Sequence, residues 1–225
     1  VLSTEGTFMA EAPAISVSDK GAVFACWREL SLDAADEYDD MPWTGKCRYR
    51  PAGGTEWLDP EFAPSIGEGN AEGLVSPWFS PALAFDDREQ LWMAYIDNKN
   101  AYGGEALPLR VVRWNEAGGW AARTDGYEAL YFAIFPDLAV YDNVAWAAYS
   151  TMEFTTEESQ KKYGRYTRHI ELLRVNPTGA DTNFERKVFS TYNYGYGPEG
   201  EESLSYGRSV RPAVFADATG VQLAY

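Results

Sequence analysis

The sequence predicts an all-β fold made of a repeated antiparallel hairpin, and three observations predict it. Apolar residues come in short runs broken by turn residues rather than at helical spacing. Gly (20), Pro (12), Tyr (15) and Trp (8) are abundant among the 225 residues, a composition that suits strands and turns. One segment also recurs four times with its landmarks in step.

The four copies are residues 13–27, 81–95, 136–149 and 212–225. Pro13, Pro81, Pro136 and Pro212 lead them; Trp27, Tyr95, Tyr149 and Tyr225 close them thirteen or fourteen positions later. In each, an apolar run meets a polar turn centred on Asp, with Gly21 and Gly220 easing the backbone in two of them. A second apolar run then leaves the turn. The predicted unit is a hairpin whose Pro stands at the first strand position, where a missing N–H is tolerated. Runs such as Leu91-Trp-Met-Ala-Tyr-Ile96 are apolar on both faces, so each hairpin needs cover on two sides.

More polar outer strands are expected after the first three hairpins, at 47–50 with 57–58, 109–114 with 120–123, and 170–175 with 187–189. Turn-like segments at 51–54, 116–119 and 176–179 connect them. The unit thus reads as a four-stranded antiparallel sheet recurring every 55 to 76 residues. Stacked radially, such sheets form a β-propeller of four-stranded antiparallel blades, with about three and a half blades present. One region covers 1–225, with blades at approximately 13–75, 81–130 and 136–205, an incomplete one at 212–225, and 1–12 as a candidate closing strand. The Pro-led strands should be innermost, with Trp27, Tyr95 and Tyr149 at equivalent places against neighbouring sheets. A β-sandwich of look-alike hairpins is the competing architecture.

A formal charge of −15 excludes a polyanionic partner such as nucleic acid and disfavours anionic lipid. No apolar run approaches the roughly 20 residues of a membrane-spanning helix. Val1 is no initiator methionine, so the chain reads as part of something longer. Ring completion is then left to missing chain, to residues 1–12, or to another chain. Cys26 and Cys47 fall on neighbouring expected strands, where a disulfide and two buried thiols are both open.

The pattern Pro-apolar-x-apolar-x-x-Asp followed by an apolar-Ala-Tyr strand resembles the repeats of the sialidase-like, Asp-box-related propeller superfamily. More loosely it resembles propellers attached to serine peptidases. The turns Ser18-Asp-Lys-Gly21 and Asp86-Asp-Arg-Glu89 match the Asp box, Ser-x-Asp-x-Gly-x-Thr-Trp, only in part. The resemblance implies six-bladed rings and, in its enzymes, an arginine cluster with a tyrosine nucleophile paired to an acid. Arg208 and Arg211, just ahead of Pro212, resemble the arginine placement of such enzymes.

His169 is the single histidine, which removes Ser-His-Asp and Cys-His mechanisms and multi-histidine metal sites; its neighbours suggest a strand edge. Glycoside hydrolysis needs two carboxylates, and Asp19, Asp87, Asp97 and Asp142 are candidates that serve equally as turn formers. Residues 33–40 pack five carboxylates into eight positions, so Asp33, Asp36, Asp39 and Asp40 form either a solvated loop or a calcium site. Tyr192, Tyr194, Tyr196 and Tyr206, with Tyr102 and Trp43, make the candidate binding face, since tyrosine offers rigid area and a hydroxyl to proteins and sugars alike.

The leading expectation is therefore a non-catalytic, extracellular or periplasmic propeller that recognises a protein or glycan. A fragment of a propeller glycoside hydrolase and the propeller portion of a larger hydrolase are the alternatives, because fold alone does not fix function.

Overall fold

The computed structural model describes residues 7–31, 43–59, 81–96, 109–116, 119–120, 132–154, 166–175, 185–194 and 211–225. All its regular elements are strands: β1 (Thr7–Val17), β2 (Val23–Ser31), β3 (Trp43–Arg50), β4 (Ala82–Phe85), β5 (Leu91–Ile96), β6 (Leu109–Asn115), β7 (Gly119–Trp120), β8 (Phe132–Tyr141), β9 (Val144–Phe154), β10 (Tyr166–Val175), β11 (Glu185–Tyr194), β12 (Ala213–Asp217) and β13 (Gly220–Ala224). They form four antiparallel sheets in chain order: β1-β2-β3, β4-β5-β6-β7, β8-β9-β10-β11 and β12-β13. Four strands are thus seen in the second and third sheets. The first has three plus a bridge from Tyr49 to Leu58, where a fourth strand was expected, and the last has two. Arg48 to Asp59 at 2.9 Å and the Arg50 guanidinium over the Trp57 ring hold that bridge segment to β3.

Each sheet begins with an antiparallel hairpin, and its turn follows from local chemistry. In the first, Gly21 N–H donates to the Ser18 carbonyl and takes a φ of 90°, a left-handed geometry that glycine adopts without penalty. In the second, Glu89 takes that place at φ 62°, and the buried Asp86 carboxylate braces the turn. In the third, Asp142 and Asn143 both have positive φ, the two-residue turn whose twist matches paired strands. In the fourth, Thr219 donates to Asp217, which holds that carboxyl below its ordinary range.

Across every sheet the leading Pro lies opposite the closing aromatic. Cys26 pairs with Ala14 and Arg28 with Glu11, which sets Ala12 and Pro13 together against Trp27. Ala148 pairs with Asp137 and Ser150 with Ile134, which sets Phe135 and Pro136 against Tyr149. In the other two, pairing starts at Ala82 with Ala94 and at Ala213 with Ala224, immediately after Pro81 and Pro212. Pro81 and Pro212 thus stand just ahead of β4 and β12 and not at their first position, and the expectation that Pro begins the strand is corrected further for β1 and β8. There the strand passes through a bulge, which takes the residue lacking an N–H out of the ladder. Ala12 and Phe135, just before these prolines, both have φ of 53°. Through the bulge, Thr7 and Met9 reach Ser31 and Leu30 of β2, so residues 7–12 of the segment read as a closing strand belong to β1.

We call the face carrying the closing aromatic the front of a sheet and the other its back. The front of the second sheet, with Leu91, Met93, Tyr95, Val112 and Trp114, packs on the back of the first, with Phe24, Cys26, Cys47 and Tyr49. The front of the third, with Leu138, Ala147, Tyr149 and Leu173, packs on the back of the second, with Trp92, Ala94, Leu109 and Val111. The second sheet is thus buried on both faces, as its uniformly apolar strands require, and each large buried side chain contributes about 1.5–3 kcal/mol. Phe24, Tyr49 and Trp114 form a ring cluster across the first junction, with centroids 4.6 to 5.9 Å apart. The first strands β1, β4, β8 and β12 lie in series, each against the next. A sandwich would have split them between two facing sheets.

Cys26 and Cys47 are directly paired across β2 and β3, with Cα atoms 4.1 Å apart, and form a disulfide. The bond is buried in the first junction, with the Met93 sulfur 4.0 Å from Cys26 Sγ.

Candidate functional site

The sheets have a turn end, where the hairpins reverse, and a strand-start end opposite it. Among the described residues, the buried ionisable groups Glu29, Arg110 and Glu171 lie in the strand-start half and Asp86 lies at the turn end. Register puts a charged residue of the third strand opposite each closing aromatic: Lys46 across from Trp27, Arg110 across from Tyr95, and Glu171 across from Tyr149. A layer of Pro, aromatic and ionisable residue therefore recurs at one height in three successive sheets. Arg110 and Glu171 are buried and Lys46 is half-buried.

Two carboxylates here are held by aromatic donors. Tyr149 Oη donates to Glu171 Oε2 at 2.8 Å, with both residues fully buried between the second and third sheets. Trp27 Nε1 donates to Glu29 Oε1 at 2.6 Å, two residues along the front of β2, and Glu29 is buried too. Charge is costly to bury without such partners, so these bonds keep the layer compatible with a packed interior. Tyr149 and Glu171, neither of them among the residues expected at a site, form the more enclosed of the two pairs. In this state the pair is closed to solvent and ties β9 to β10.

At the turn end a cleft of about 340 Å³ lies between the first three sheets, lined among others by Val17, Asp19, Phe85, Asp87, Val140 and Asp142. The side chains of Asp19, Asp87 and Asp142 are exposed there. The brace that was expected of the aligned Asp residues is made in the second sheet by Asp86. Its Oδ1 accepts the Arg88 and Gln90 N–H groups at 2.9 Å each, and its Oδ2 accepts Trp92 Nε1 at 3.1 Å. Ser18 does the same work in the first sheet, its Oγ accepting the Ala22 N–H at 3.1 Å.

The remaining expected residues are dispersed. Trp43 opens β3 opposite Leu30; Tyr192 and Tyr194 lie on β11, the outermost strand of the third sheet. Arg211 is exposed, its guanidinium 4.8 Å from the centre of the Phe135 ring, which anchors the start of the fourth sheet to the bulge of the third. Tyr102, Tyr196, Tyr206, Arg208, Asp97 and the acidic loop with Asp33, Asp36, Asp39 and Asp40 lie outside the described residues. Among the described residues no group of three metal-ligating side chains gathers. His169, expected at a strand edge, pairs through β10 with Thr151 on one side and Thr191 on the other, so its backbone is interior to the sheet. Sequence reasoning missed Glu29, Arg110 and Glu171. For Arg110 and Glu171 the signal is a lone charge inside an apolar run, as in Leu109-Arg-Val-Val112 and Ile170-Glu-Leu-Leu173.

No protein-family description and no curated relative matches the sequence. Among solved structures, the chain is similar to the GH93 α-L-arabinofuranosidase of Fusarium graminearum at 11% identity and a TM-score of 0.46, covering 98% of this chain and 76% of that one. A Hadza microbial sialidase aligns at 11% identity and 0.49, covering 93% of this chain and 40% of its own length. A family 117 glycoside hydrolase of Zobellia galactanivorans aligns at 14% and 0.46, covering 81% and 56%.

Proposed function

We propose that this chain is a portion of a β-propeller glycoside hydrolase, its sheets being blades and its sugar-facing chemistry lying at the strand-start end. The observation that supports this most is the layer itself. Three successive sheets place Lys46, Arg110 and Glu171 at one register, and Glu29 and Glu171 are carboxylates held by aromatic donors. A propeller gathers a site from several blades, and recurrence of polar groups at one height in successive sheets suits such a site. Glycoside hydrolysis draws on paired carboxylates. The buried disulfide supports an oxidising compartment, extracellular or periplasmic.

The test is saturation-transfer NMR of the 225-residue chain against a panel of aryl glycosides that includes sialosides and arabinofuranosides. At least one should bind. Binding should fall severalfold or more in Lys46→Met and in Lys46→Glu, changes at a half-buried position where the fold is expected to survive. A chain that binds no member of the panel overturns the reading, as does binding untouched by both changes.

A purely recognising propeller is the second reading, favoured by Tyr192 and Tyr194 standing two positions apart on an outermost strand. It predicts sugar or protein binding that survives both substitutions and is lost with Tyr192→Ala.

A further inference from the structure

We draw no further inference here: the strongest candidate, the turn-end cleft where the exposed carboxylates of Asp19, Asp87 and Asp142 stand beside Val17, Phe85 and Val140, is an acidic cluster, and nothing in the structure shows what occupies it.

Discussion

The indole N–H of Trp92 donates to Oδ2 of Asp86 at 3.1 Å, joining β5 of the second sheet to the turn that precedes it. With Oδ1 accepting the Arg88 and Gln90 N–H groups, one buried carboxylate satisfies three donors. Removing it in Asp86→Ala leaves those donors without an acceptor, at about 1–3 kcal/mol for each that stays dry. We expect a loss of roughly 2–4 kcal/mol in urea unfolding, with Asp86→Asn losing less because its carbonyl still accepts.

Gly21 and Glu89 occupy the same left-handed turn position, at φ 90° and 62°. Glu89→Gly should therefore stabilise the protein by about 0.5–1 kcal/mol, and Gly21→Ala should destabilise it by a similar amount. No heavy atom lies within 4 Å of a Cβ added at Gly21, so backbone strain and not crowding is being measured. Equal and opposite shifts in the urea midpoint would bear this out; a destabilised Glu89→Gly would refute it.

The disulfide closes a loop with a sequence separation of 21. On loop-closure entropy it contributes about 3 kcal/mol. The Cys26→Ala, Cys47→Ala double variant should lose about that much, read from the denaturant midpoint. A buried bond should also resist dithiothreitol in the native state and be reduced readily only in denaturant.

Tyr49 Oη donates to Glu116 Oε2 at 3.0 Å, bridging the first and second sheets, and burial with that bond pushes the Tyr49 pKa up to about 12. An unfolded tyrosine titrates near 10. The folded state holds the proton more tightly, so this contribution to stability is complete below about pH 10 and is lost as pH rises through about 12. Tyr49→Phe should remove that component of the decline between pH 10 and 12, measured by thermal melting; an identical decline in the variant would contradict it.

The isolated chain should not hydrolyse sialosides or aryl glycosides, because the carboxylates Glu29 and Glu171 are buried and already engaged. Turnover abolished by Arg208→Ala or Arg211→Ala would show a working site at the start of the fourth sheet and displace the one proposed.

The sequence by itself determined the strand class and the places of the hairpin turns. These are local properties: turn residues impose φ, and runs apolar on both faces demand cover from each side. It also narrowed the cysteines to neighbouring strands. Only the tertiary structure decided that Cys26 and Cys47 share a register, that Pro13 and Pro136 sit in bulges, and that Asp86 rather than Asp87 clamps its turn. The candidate site was least legible. Arg110 and Glu171 read as stray charges in apolar strands until the ladder placed each opposite a closing aromatic. A one-residue change of register would turn them to the other face, and register is fixed by bulges and sheet stacking, which no stretch of sequence shorter than the fold contains.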